Sequence, residues 1–327
     1  DHGHGKRQGS REMESGRVHL VIPSGTELYR VSLVVAIPAL TLAATLCLTL
    51  VLVGVVVVAG ILIMGFVLGP VGVVVTMVMG IVVVVVVSIV VIVTLHLAFA
   101  LALFLVVAVG LAILAEDNSW GLLNQIELPE WAAIVAAILV FDLAIYLQHV
   151  LFHAVPALWR LHRMHHADLE FDVTTGLRFH PVEILMSMGI KLLLVLALGP
   201  PAIAVLLFEV LLNGSAMFNH SNVRLPARVD AVLRLFIVTP DMHRVHHSIE
   251  PSETNSNFGF NLPWWDRLLG TYRAQPRAGH LDMTIGIEQF RTRRDLWLDR
   301  MLWQPLRGRA SRYPINREDK QRKASRQ

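Results

Sequence analysis

Charge is what this chain has least of. Only 16% of its 327 residues are Asp, Glu, Lys or Arg, against roughly 25% in soluble domains. None of the four occurs between Val31 and Ala115. That excludes an ordinary soluble core and makes the block membrane-embedded, with room for three spans of about 20 to 25 residues. Cysteine is nearly absent as well. The single Cys47 lies inside the uncharged block, which excludes a disulfide framework and a thiolate metal site and leaves nitrogen and oxygen as the available donors. No Gly-rich phosphate loop, RNA-binding signature or zinc-finger spacing is present. The formal charge of +3 therefore speaks for membrane topology and lipid headgroups rather than nucleic acid. HExxH is missing too, and with it the catalytic glutamate of a zinc peptidase.

Along the chain, residues 1–30 are polar and read as a disordered leader, and 31–115 form the uncharged Val-rich region. Residues 116–130 carry four acidic and no basic side chains, the mark of an outside loop. The apolar segment from Trp131 returns to the cytoplasmic side, and Val182–Leu212, broken at Gly199-Pro200-Pro201, reads as a helical hairpin. Three early spans, one from Trp131 and two in the hairpin give six. The expected fold is thus an all-α integral membrane bundle with a cytoplasmic, histidine-rich helical cap. Residues 116–290 are taken as the catalytic domain and 291–327 as a charged cytoplasmic tail.

Histidine is what the chain has in concentrated form. HVLFHAVPALWRLHRMHH holds five histidines in residues 149–166. His149 and His153 are four apart, and His162, His165 and His166 stand at i, i+3 and i+4, so each set is expected on one helix face converging on one point. MHRVHH repeats the second spacing with His243, His246 and His247. Imidazole suits iron, zinc, copper or nickel. Eight such donors exceed the three or four of one zinc site and suit two metals sharing a cavity. His180, before Pro181, and His220 are further candidates, His180 equally as a helix cap. Metal-bound imidazoles usually pass their other N–H to an acceptor. Asp142 and Tyr146 on the face of His149, Asp241 beside His243, and Glu209 and Asn213 on the stripe of His220 are the expected supports.

HVLFH, LHRMHH, RFHPVE, FNHSN, TPDMHRVHH and NSNFGFNLPWWDRLLGTY, in this order, resemble the fatty acid hydroxylase and sterol desaturase superfamily of integral membrane oxygenases. The resemblance covers about residues 130–290. It implies a non-haem di-iron centre on the cytoplasmic side that uses dioxygen to hydroxylate or desaturate a membrane lipid, such as a sterol, fatty acyl or isoprenoid molecule. It carries over His149, His153, His162, His165, His166, His243, His246 and His247 as ligands, with His180 and His220 as additional positions. Some members place another histidine shortly after the one matching His220; here SNVR follows. No flavin, iron–sulfur or haem-attachment motif is visible, so a separate reductase, cytochrome or ferredoxin is the expected electron donor. The expected location is a bacterial inner membrane. The competing reading is a metal-ion transporter or metal-binding protein, although transporters hold their ions near the bilayer midplane rather than beside basic flanks.

Overall fold

The computed structural model describes residues 78–80, 82, 105–308 and 312–315. The leader and nearly all of the uncharged block lie outside the described residues. Helices account for the architecture: α1 (residues 105–117), α2 (Glu130–Ala154), α3 (Pro156–His166), α4 (Pro181–Leu198), α5 (Ala202–Asn219), α6 (Ala227–Leu233), α7 (Pro240–His246), α8 (Pro251–Thr254), α9 (Trp264–Leu268) and α10 (Leu298–Trp303). Among the described residues there is no strand, only an antiparallel bridge between Ser248 and Ile285.

Among the described residues, four helices are long and apolar enough to cross a membrane: Leu105–Gln125, which runs from α1 into a short 3-10 turn, then α2, α4 and α5. A spanning segment must satisfy its own backbone, which a helix does. The four pack through small residues and aromatics. Ala108 and Ala112 of α1, Ala137 of α2 and Ala204 of α5 are buried together and let the backbones approach closely. Phe141 and Phe208 meet across α2 and α5 with ring centroids 5.1 Å apart. On the outer faces, Leu185, Leu193 and Val210 are more than 60% exposed, as suits side chains facing acyl tails. Inside this layer Lys191 donates to Glu209 at 2.6 Å, and Asn213 donates to the Glu209 carbonyl at 2.8 Å.

The break expected at residues 199–201 is there. α4 ends in Gly199, whose φ of 58° is left-handed. A side chain at Gly199 would lie 2.0 Å from the Trp120 carbonyl, so only glycine lets the loop after α1 rest on the hairpin tip. The other decisive break is at Val155–Pro156. Proline disfavours helix at the preceding residue, and Val155 is extended with φ −94° and ψ 117°. Pro156 then opens α3. The chain turns there, so that α3 folds back against the end of α2.

The C-terminal end of α2, the N-terminal end of α4 and the C-terminal end of α5 lie at one end of the helical layer, joined by contacts of His162 with Glu183 and of His165 with His220. Residues beyond 291, expected as a charged tail, include a stretch that packs on α3. Arg163 donates to the carbonyls of Gln304 and Arg307, and Tyr313 stacks on Trp159 at 5.4 Å.

Candidate metal centre

Nine histidines meet at that end of the layer. α2 delivers His149 and His153 from its last turns, α3 delivers His162, His165 and His166, and His220 is the C-cap residue of α5. α7 supplies His243 and His246, with His247 at its cap, after Thr239 and Pro240 have set its start. All nine are at most 3% exposed.

They form two groups, His149, His153, His162, His166 and His246 in one and His165, His220, His243 and His247 in the other, with one ring nitrogen per residue within 4.8 Å of the rest of its group. The sequence expectation that each HxxHH set converges on one point is therefore corrected. Each set is divided between the groups. The physical reason is helical phase: neighbouring residues differ by about 100°. His162 and His166 thus share a face while His165 points elsewhere. In α7 the division is mirrored, with His243 and His247 in one group and His246 in the other.

Ring tautomers follow from the outer hydrogen bonds. Nδ1 of His149 donates to the Phe258 carbonyl at 2.7 Å, that of His246 to the Ser256 carbonyl at 2.7 Å, and that of His220 to the Ala216 carbonyl at 2.7 Å. His165 donates to the Thr175 carbonyl at 3.0 Å, His153 to Asn255 Oδ1 at 3.1 Å, and His162 to Glu183 Oε1 at 2.6 Å. An oxygen acceptor outside forces the proton onto Nδ1 and leaves Nε2 a bare lone pair facing inward.

Those lone pairs then face one another. Nε2 of His162 lies 3.1 Å from that of His149 and 3.2 Å from that of His166. Nε2 of His220 lies 3.3 Å from that of His165 and 3.1 Å from that of His243. Bare lone pairs, as on His162 and His149 and on His220 and His165, repel at such distances unless a cation sits between them. Two nitrogens each about 2.1 Å from one ion stand about 3.0 Å apart at a right angle and about 3.4 Å apart tetrahedrally. Nε2 of His153 and His246 is buried without a partner, two acceptors left for the same purpose, and neither ring nitrogen of the buried His247 has a partner. The donor set fits one metal ion in each group.

Burial, and next the neighbouring imidazoles, hold His165, His166, His243, His246 and His247 well below the ordinary histidine range. His220 is lowered to about 4, mainly by burial. All six are neutral at physiological pH, as ligation requires. The walls are aromatic: Phe179 stacks on His165 at 4.3 Å and Phe258 meets His153 at 5.0 Å.

The expected outer partners take other places. Asp142 accepts from Asn261 and the Trp265 indole, each at 2.8 Å. Tyr146 bonds the Thr271 hydroxyl at 2.8 Å. Glu209 and Asn213 belong to the ion pair with Lys191, and Asp241 pairs with Arg244 at 2.7 Å. His180 stands apart from both groups. It caps α4 by accepting from the Val182 N–H at 3.2 Å, and it donates to the Leu302 carbonyl at 3.3 Å. The acceptors that do meet the rings were missed, and four of the six are backbone carbonyls. Glu183 alone carried a signal, being the one carboxylate in RFHPVE.

A family profile described as fatty acid hydroxylase matches residues 134–271, which takes in all nine histidines, Glu183 and the loop as far as Thr271. Over those residues the chain is similar to the fatty acid hydroxylase family. The chain is similar to ornithine lipid hydroxylase OlsE of Rhizobium tropici, 32% identical over 152 residues, which is 46% of this chain and 45% of the relative. Alkylglycerol monooxygenase of Xenopus tropicalis is 28% identical over 189 residues, 55% of this chain and 40% of the relative. Cholesterol 25-hydroxylase of Homo sapiens is 31% identical over 143 residues, 43% of this chain and 51% of the relative. The chain thus spans about half the length of the curated relatives it matches. No solved structure matches the chain significantly.

Proposed function

We propose that this protein is a lipid hydroxylase that uses dioxygen at a histidine-held di-iron centre. The observation that carries the reading is the pair of buried imidazole groups, in which six of the nine rings have Nδ1–H pinned to oxygen and the Nε2 lone pair turned inward. His149, His153, His162, His166 and His246 would hold one ion, and His165, His220, His243 and His247 the other. His180 is assigned to capping α4. Bound iron supplies the redox chemistry that activates dioxygen and oxidises a lipid C–H bond.

The chain's own part is to hold, orient and keep dry. Glu183, Asn255 and the carbonyls of Thr175, Ala216, Ser256 and Phe258 fix the ring orientations. The aromatic walls exclude water, which limits side reactions. Because the groups lie at the ends of α2, α4 and α5, an acyl or sterol chain in the adjoining leaflet has a short path to them. The named relatives act on an ornithine lipid, alkylglycerols and cholesterol, which supports a lipid substrate and favours hydroxylation over desaturation. The basic residues that follow α2 and α5 support a cytoplasmic location for the centre, in a bacterial inner membrane. Electrons come from a separate reductase, cytochrome or ferredoxin.

Expression in a lipid-producing host under isotopically labelled dioxygen, followed by mass spectrometry of extracted lipids, tests the proposal. A labelled hydroxyl on a lipid, lost in His165→Ala and His246→Ala, is the expected result. Metal uptake into sealed vesicles with no lipid oxidation would favour transport instead.

A further inference from the structure

Asp266, in the first turn of α9, has no exposed surface, yet it is far from idle. Its Oδ1 accepts from the Phe258 N–H at 2.8 Å and from the Thr271 hydroxyl at 2.7 Å, and its Oδ2 accepts from the Gly259 N–H at 2.9 Å. The Gly259 N–H and the Phe258 carbonyl belong to one planar peptide unit. That carbonyl takes the Nδ1–H of His149 at 2.7 Å. A single amide therefore stands between a buried carboxylate and a histidine of the five-membered group.

The site is built for this approach. A side chain on Gly259 would lie 2.8 Å from Asp266 Oδ2 and 2.8 Å from the Leu262 carbonyl, so only glycine lets the amide reach the carboxylate. Burial pushes the Asp266 carboxyl up from the usual range, while its hydrogen bonds act the other way. Three donors on two oxygens leave an acid proton no acceptor to point at, which favours the ionised form. Thr271 gives its one hydroxyl proton to Asp266, so in the 2.8 Å contact between Tyr146 and Thr271 the tyrosine is the donor. The network leaves α2 at Tyr146 and returns to it at His149.

We propose that Asp266 is a positioning residue for His149, acting through the 258–259 peptide to fix the ring and strengthen its Nε2 as a donor. Negative charge at the N–H end of an amide polarises its carbonyl, and hydrogen bonds in series reinforce one another. The inference rests on the metal-centre reading above. Its specific content is that Asp266 tightens the ion of one histidine group and not of the other.

The test is an anaerobic ferrous titration of the full chain in phosphatidylcholine nanodiscs, against a chelator, with Mössbauer spectra of the loaded protein and its unfolding temperature. Asp266→Asn is expected to weaken one ion about 10- to 100-fold and to change one Mössbauer doublet, leaving the other ion as in the wild type. Wild-type affinities and spectra for both ions would overturn the inference. So would loss of both ions in step with a lowered unfolding temperature, which marks a purely structural residue. Thr271→Val decides the matter if Asp266→Asn does not fold. It keeps the carboxylate and the amide, and it should weaken the same single ion, whereas unchanged affinities count against the relay. Failure of the wild type to bind iron strikes the metal-centre reading itself and is seen before any variant is made.

Discussion

Glu183 and His162 make the strongest of the outer hydrogen bonds, 2.6 Å between two buried side chains, and the bond can be weakened without changing its shape. Glu183→Gln keeps the length and an acceptor oxygen but removes the charge. The amide NH2 takes the place of Oε2, which has no partner already, so no new bond arises. Hydrogen bonds to charged groups contribute about 1.5–3 kcal/mol net and neutral ones about 0.5–1.5 kcal/mol. The difference, about 1–1.5 kcal/mol, is close to tenfold in an equilibrium constant. His162 Nε2 stands beside both His149 and His166, so this loss should appear as about tenfold weaker retention of the ion held by the five-imidazole group. Glu183→Leu strands the Nδ1–H altogether and should move the loss toward 100-fold. Competition with a chelator under anaerobic conditions measures both. Wild-type affinity in both variants would refute the reasoning, because it would mean that the carboxylate contributes nothing to the imidazole as a ligand.

Two further outcomes follow from the placement of the remaining histidines. His220→Ala should lower bound metal from about two ions per chain to about one, whereas His180→Ala should leave metal content unchanged while lowering thermal stability by about 0.5–2 kcal/mol through loss of the α4 cap; elemental analysis and thermal unfolding separate them. The depressed pKa values fix the sign of the acid response: His220 titrates near 4 in the folded chain and near 6.5 when unfolded, so between those values the unfolded chain binds the extra proton. Stability of the metal-free protein should be full above about pH 6.5 and fall as pH drops toward 4, by up to about 1.4 kcal/mol per pH unit from His220 alone. A flat unfolding profile across that window would count against buried neutral imidazoles.

Much of the centre is legible in the sequence because its donors are side chains at fixed spacing. The eight box histidines stand together, and the Gly199-Pro200-Pro201 break lies where the hairpin turns. The division of each HxxHH set was not legible, since which face of α3 meets α2 and which meets α5 and α7 depends on tertiary packing. Nor were the outer acceptors, for a carbonyl such as that of Phe258 or Thr175 has no residue type to announce it. Asp142 and Tyr146 do lie along the helix before His149, but their side chains reach the 261–271 loop instead. Counting spans meets a different limit, because most of the early uncharged block lies outside the described residues.

The division of the two HxxHH sets has a bearing on how such a centre is assembled and inherited. α3 and α7 each serve both histidine groups, so neither group is a module carried on helices of its own. A one-residue shift in either helix would turn every donor on it by about 100° and misplace both groups together. A mononuclear descendant is therefore not reached by slipping a helix. Loss of one ion with the other kept requires replacing individual donors while both helices stay in register.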